Sequence, residues 1–264
     1  MHIKANGIRI NYELSPRPDA ATVVLSHSLG SSLAMWDPQM EVLRTHFSVL
    51  RYDTRGHGGT DAPPGDYTLD QLVTDAVGLL DALGIDRVHW VGLSMGGMIA
   101  QGLALQHADR LQSLVLCDTA ARIPSEAQPV WQERIDAARR NGMQPLAQPT
   151  LERWFTPAYL AENPPGVALI RRHFLATPVA GYIGCSQAIR GLDYLEQLPA
   201  VRTPTLIIVG EEDLGTPVAA AEAIHRQIKG SQLVVIPSAA HLSNVEQAEA
   251  FNRALIPFLL DAAD

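Results

Sequence analysis

Apolar residues fall along the chain in two patterns: short unbroken runs of four to six, and longer stretches in which they recur every third or fourth position. The first pattern suits strands buried on both faces, and the second suits helices packed over them. Residues 22–26, 47–52, 88–91, 114–117, 205–209 and 232–236 read as strands of this kind. Ahead of them, Asn6-Gly7 sits between residues of alternating character in 3–14, which predicts a hairpin of two antiparallel strands. Helical spacing covers 33 to about 46. It returns at Leu72, Ala76, Leu80 and Leu83, after a capping box at Thr68-Leu69-Asp70-Gln71 and before a stop at Gly84. Alternation of strand and helix predicts an α/β fold: a mostly parallel, eight-stranded sheet flanked by helices.

Between 121 and 195 the strand runs vanish, and prolines, tryptophans and arginines appear within segments of helical spacing. This predicts a helical cap at 121–195 inserted into a core formed by 1–120 and 196–264. In the second part of the core, Thr216-Pro217 reads as a helix start. Ser243-Asn244-Val245-Glu246 reads as a second capping box opening the final helix.

Composition narrows the function classes. With 264 residues and 47% hydrophobic content, the chain can bury one large α/β core carrying an insertion. Its formal charge of −8 argues against nucleic acid or an anionic membrane surface as partner. No run of about 18 apolar residues occurs, and Met1-His2-Ile3-Lys4 leads into a polar hairpin, so a cytoplasmic protein is expected. Cys117 and Cys185 read as small buried residues, and their number and spacing suggest neither a disulfide framework nor a metal site. Charge is uneven: 121–195 holds eight arginines against six carboxylates. A homo-oligomer is compatible with all of this.

The chemistry centres on Gly92-Leu93-Ser94-Met95-Gly96-Gly97, which follows an apolar run and precedes a small-residue apolar segment. That is the strand, G-x-S-x-G turn and helix of a nucleophile elbow, so Ser94 is the candidate nucleophile. A serine hydroxyl needs a base, and the base needs a carboxylate to fix its tautomer. In an open parallel sheet functional groups gather at the carboxyl ends of strands. His241 follows the last strand and is the candidate base, whereas His27 and His57, also at strand ends, are expected to hold loops. Asp213 follows the preceding strand and is the favoured acid; Asp118, after the strand that follows the elbow helix, is the alternative. The oxyanion hole maps to the backbone N–H groups of Leu29 and Met95. In the cap, Trp131 and Arg134 lie three apart on one helix face, and Arg190 lies where the cap returns to the core. These are the candidate substrate contacts.

Several strings taken together resemble a known family. They are His27-Ser28-Leu29-Gly30, Arg51-Tyr52-Asp53-Thr54-Arg55-Gly56-His57-Gly58, the elbow through Gln101, Cys117-Asp118-Thr119-Ala120-Ala121, and Ala240-His241-Leu242-Ser243-Asn244-Val245-Glu246. With Trp131-Gln132-Glu133-Arg134-Ile135 and Arg153-Trp154-Phe155-Thr156 in the cap, they are similar to the 3-oxoadipate enol-lactonases of the α/β-hydrolase superfamily. Ser28 departs from many relatives, which carry glycine there. The resemblance implies hydrolysis of a small anionic enol-lactone to 3-oxoadipate through an acyl-enzyme, within the β-ketoadipate pathway of aromatic compound breakdown. It implies neither metal nor organic cofactor. Serine at 94 speaks against the dehalogenase and epoxide-hydrolase relatives, which use aspartate there. A carboxylesterase or carbon–carbon bond hydrolase of the same fold is the alternative enzyme. A lactone receptor that retains the triad is the alternative from another class.

Overall fold

The computed structural model describes residues 1–263. The Asn6-Gly7 pair turns with both residues at positive φ, 45° and 78°, and joins β1 (His2–Ala5) to β2 (Ile8–Ser15). The apolar runs form β3 (Thr22–Ser26), β4 (Ser48–Tyr52), β5 (Val88–Leu93), β6 (Leu111–Cys117), β7 (Thr205–Gly210) and β8 (Gln232–Ile236). All eight strands make one sheet in the order β1-β2-β4-β3-β5-β6-β7-β8, antiparallel at β1/β2 and β2/β4 and parallel from β4 onward. β4, β5 and β7 are buried along their whole length, as unbroken apolar runs require when helices cover both faces. The edge strand β8 is largely half-exposed.

Helices α1 (Asp37–Arg44), α2 (Leu69–Leu83), α3 (Met95–Gln106), α9 (Val218–Gln227), α10 (Ser243–Glu246) and α11 (Ala248–Asp261) flank the sheet. The segment between β6 and β7 contributes α4 (Gln128–Asn141), α5 (Gln144–Trp154), α6 (Pro157–Ala161), α7 (Pro165–Ala176) and α8 (Val179–Arg190), with no strand among them. The stretch expected as one helix from 33 divides into a single 3₁₀ turn, Leu33–Trp36, and α1, because Pro38 lacks the N–H that a continuous helix would use. Thr68 does cap α2, accepting from Gln71 N–H at 3.1 Å, and Gly84 ends the helix in the left-handed region at φ 66°.

Two expected helix starts are built differently. Thr216 precedes α9, but Pro217 is its cap and the Thr216 hydroxyl is turned to Asp213. Ser243 and Glu246 do not form a capping box. α10 is four residues long, the final helix begins separately at Ala248, and both side chains are committed to distant partners.

Strand order reverses at β3, which has β4 on one side and β5 on the other. A crevice opens where successive connections leave to opposite sides. Ser26 pairs in register with Gly92, so the loop after β3 and the elbow after β5 emerge side by side at that crevice.

Candidate active site

The elbow is set by close backbone approach. A Cβ on Gly92 would lie 2.1 Å from the Gly96 carbonyl oxygen, and one on Gly96 would lie 2.1 Å from that of Ser26. Glycine is therefore required at both positions. Ser94 takes φ 55° and ψ −113°, a conformation that costs energy for a residue with a Cβ and persists only when its surroundings impose it. Here they do: Ser94 N–H donates to the Cys117 carbonyl (2.9 Å), and the Thr119 hydroxyl donates to the Ser94 carbonyl (2.8 Å).

The loop after β3 is held by two buried histidines. Thr54 N–H donates to His27 Nε2 at 2.9 Å, so the ring proton resides on Nδ1, which donates to the Ser28 carbonyl at 2.7 Å. Gly30 N–H donates to His57 Nε2 at 2.8 Å, and His57 Nδ1 donates to the Arg55 carbonyl. Burial lowers the pKa of both rings, that of His57 to about 3, so both stay neutral and keep an acceptor nitrogen. Leu29 lies between these anchors, and no acceptor among the described residues takes its N–H. Met95, the first residue of α3, follows Ser94 directly, so Leu29 and Met95 remain the candidate amides for an oxyanion hole.

Asp213 and His241 meet at the ends of β7 and β8. His241 Nδ1 donates to Asp213 Oδ2 at 2.8 Å, which leaves Nε2 as the basic nitrogen. The carboxylate is fixed by three further donors: Gly215 N–H (2.7 Å) and Thr216 N–H (3.0 Å) on Oδ1, and the Thr216 hydroxyl (2.7 Å) on Oδ2. Burial acts to raise the Asp213 pKa, but the His241 charge and these hydrogen bonds outweigh it and hold the carboxylate below its usual range. Burial would likewise lower the His241 pKa, yet the charge and hydrogen bond of Asp213, with the charge of Asp118, carry it above 6.5. The acid limb of kcat/KM reports deprotonation of the free-enzyme base. It is expected above pH 6.5, and a limb at or below that value in a pH–rate profile would show that Asp213 does not control the imidazole.

Asp118 has a different duty. Its Oδ1 accepts from Gly210 N–H at 2.8 Å and its Oδ2 from the Ser243 hydroxyl at 2.6 Å, so it ties the Asp213 turn to the segment after His241. Burial, and then the charge of Asp213, push its pKa well upward.

Ser94 and His241 open onto one cavity of about 430 Å³ roofed by the cap. Their side chains share it without a direct hydrogen bond, and such contacts commonly tighten only around substrate. Trp131 and Arg134 line the cavity, with the guanidinium 5.1 Å from the indole centroid. Ser28 lines it too, its hydroxyl donating to the Leu29 carbonyl.

The expectation for Arg190 is corrected. Its guanidinium donates to the side chains of Gln128 (2.9 Å), Gln132 (2.7 Å) and Gln187 (2.9 Å), and it does not line the cavity. Gln128 and Gln132 lie on α4, against which α8 packs, and Gln187 lies one turn earlier on α8 itself. In its place the cavity receives Arg153, at the end of α5. Arg153 donates to the Thr150 hydroxyl at 3.0 Å, and no carboxylate lies within ion-pair distance of it among the described residues. Burial, and then the charge of Arg134, bring its pKa down to about 10. A cation so placed lacks a counter-ion that a ligand could provide. Its position beside Trp154, in a cap of positive balance, was the one sequence signal for it. Among the described residues, no group of three histidine, cysteine or acidic side chains is arranged to hold a metal.

A family model for the α/β-hydrolase fold matches residues 21–248. A 3-oxoadipate enol-lactonase of Acinetobacter baylyi is 37% identical over 253 residues, covering 96% of this chain and 94% of its own. The crystal structure of the enol-lactonase from Burkholderia xenovorans is 42% identical, with a TM-score of 0.95 over 98% of this chain and all of that one. A thermophilic esterase from Thermogutta terrifontis, solved with malate bound, is 32% identical, with a TM-score of 0.94 over the whole of both chains. The chain therefore belongs to the α/β-hydrolase family and is a hydrolase of the enol-lactonase type.

Proposed function

We propose that the protein hydrolyses a small enol-lactone bearing a free carboxylate, 3-oxoadipate enol-lactone, to 3-oxoadipate. The observation that carries this reading is the pairing, in one cavity, of a serine elbow with two arginines that have no carboxylate partner. A neutral ester would leave both cations without a counter-ion, whereas a carboxylate can take a charge-assisted hydrogen bond from each.

In this reading Ser94 Oγ attacks the lactone carbonyl while His241 Nε2 takes its proton. The N–H groups of Leu29 and Met95 stabilise the oxyanion, and Asp213 stabilises the imidazolium. Collapse breaks the ring C–O bond, and the enol oxygen receives the proton from His241. The departing enol stays attached to the acyl group, so it does not diffuse away. Water, deprotonated by His241, then attacks the acyl carbon. Ser94 regains its proton as the carboxylate forms, and the enol relaxes to the ketone. The relatives' names support a role in aromatic compound breakdown. No helix among the described residues is long and apolar enough to cross a membrane, and a cytoplasmic location is part of the proposal.

A substrate panel on purified protein tests it. Steady multiple turnover of the enol-lactone is expected, well above that of uncharged aryl esters and carbon–carbon ring-fission products. Preference for plain esters would make the protein a carboxylesterase, and binding without turnover would make it a receptor.

The same panel tests the arginines. Arg134→Gln and Arg153→Gln are each expected to lower kcat/KM on the acidic lactone by about 10- to 150-fold, the range for a desolvated charge-assisted contact. On an analogue lacking the carboxylate the loss is expected to stay within about threefold. Equal losses on both substrates would reduce either arginine to a support of the cap.

A further inference from the structure

Of the two residues flanking His241, Leu242 is held directly by the cap, and Ala240 is held by Glu246 of α10, whose carboxylate is in turn bound by Thr156 of the cap. On one side, Ala240 N–H donates to Glu246 Oε2 at 2.9 Å. The other oxygen of that carboxylate, Oε1, accepts from the Thr156 hydroxyl and from Thr156 N–H, the latter at 3.1 Å. On the other side, Leu242 N–H donates to the Trp154 carbonyl at 3.0 Å. Both contacts run into the stretch 154–156 that joins α5 to α6. Glu246 and Thr156 are each 7% exposed, and among the described residues no cation pairs with the carboxylate.

We propose that Glu246 is a positioning residue that couples the seating of the cap over substrate to the alignment of His241. The choice of a carboxylate is itself informative. Ala240 N–H, Thr156 N–H and the Thr156 hydroxyl are all presented to it as donors, from two different segments. A carboxylate accepts on both oxygens at once. A glutamine in its place would have one oxygen, and an NH₂ that must donate. The same stretch carries the Trp154 side chain, which lines the cavity and packs edge-on against Phe174 with ring centroids 5.8 Å apart. Substrate touching Trp154 therefore presses on a segment whose carbonyl and amides fix the base. A displacement of a reacting group by about 1 Å can cost about 10²-fold in rate, so modest play in this clamp is enough to register in turnover.

The inference rests on His241 being the general base. Its test uses Glu246→Ala, Glu246→Gln and Thr156→Val in the full chain, with His241→Ala as reference. Three quantities are measured: kcat and KM on the best lactone of the panel, the rate at which a small uncharged fluorophosphonate labels Ser94, and the thermal midpoint. Labelling needs the serine proton removed but no substrate carboxylate, so it is independent of the lactonase reading. Glu246→Ala is expected to lower kcat and labelling alike by about 30- to 100-fold with KM within about threefold. Thr156→Val is expected to show a smaller loss in both, and Glu246→Gln to recover part of the rate because its amide oxygen still serves one side of the clamp.

A fallen midpoint with kcat and labelling unchanged below it would reduce Glu246 to fold support and overturn the coupling. A raised KM with intact kcat would overturn it in favour of a binding role. Should Glu246→Ala not fold, unchanged kcat and labelling in both Glu246→Gln and Thr156→Val would be the overturning result. Labelling that survives His241→Ala would overturn the base assignment, and the coupling with it. Labelling lost there but intact in the clamp variants overturns the coupling alone.

Discussion

Ser94→Ala is expected to lower turnover of the lactone by about 10⁴- to 10⁶-fold, the usual consequence of removing one member of a serine triad. The loss is expected to be chemical and not conformational. The contacts that impose the φ of 55° act on the backbone of residue 94: its N–H on the Cys117 carbonyl and its own carbonyl under the Thr119 hydroxyl. Alanine keeps the Cβ and loses only Oγ, so the elbow is expected to stand and the cavity to bind substrate still. Residual catalysis would come from Leu29 and Met95, whose amides are untouched. The measurement is kcat beside near-ultraviolet circular dichroism and substrate-analogue affinity. A variant that kept more than a tenth of wild-type turnover would remove Ser94 from the chemistry. One that lost its fold would show that the hydroxyl has a structural part not apparent in its contacts.

The elements and the strand-end positions of Ser94, Asp213 and His241 were legible because each rests on local rules. Buried strands write themselves as unbroken apolar runs, and the elbow announces itself through glycines that no other residue could replace at Gly92 and Gly96. His241 and Asp213 could be placed because parallel strands deliver their ends to one edge, and Thr216, which completes the Asp213 turn, is the part that only coordinates reveal. What stayed hidden depends on how helices pack. Arg190 and Arg153 have the same charge and lie in the same cap, yet α8 turns the first toward three glutamines and α5 turns the second into the cavity. Periodicity fixes which residues share a face, not what that face meets.

Ser243-Asn244-Val245-Glu246 misleads for a related reason. The spacing matches a local cap, but Ser243 is satisfied by Asp118, 125 positions away, and Glu246 by Thr156, 90 positions away. Asn244 reaches the Met35 carbonyl and Gln39. Polar residues that could have capped a helix are spent instead on fixing the segment that carries the base, and a short helix with no side-chain cap is the result.

Exchange of each candidate acid for its amide is expected to separate the two. Asp213→Asn should lower kcat by about 10⁴-fold, and Asp118→Asn by less than about tenfold. At 213 the carboxylate accepts from four donors, and Oδ2 takes both the His241 ring proton and the Thr216 hydroxyl. An amide can keep Oδ1 on Gly215 and Thr216, but its NH₂ then faces His241 Nδ1. The ring is driven to the tautomer that accepts there, with its proton on Nε2, where it cannot take one from serine. At 118 the donors are Gly210 N–H and the Ser243 hydroxyl, and a hydroxyl can reverse its role. Asparagine then accepts from Gly210 and donates to Ser243 with little movement. The pH profiles should differ in parallel. Both acids raise the His241 pKa through their charge, and Asp213 adds a hydrogen bond. Asp118→Asn is therefore expected to move the acid limb of kcat/KM slightly downward while leaving its plateau nearly intact, whereas Asp213→Asn collapses the plateau itself. A greater loss at 118 than at 213 would transfer the role of acid to Asp118 and leave the Asp213–His241 contact as a feature of the resting enzyme alone.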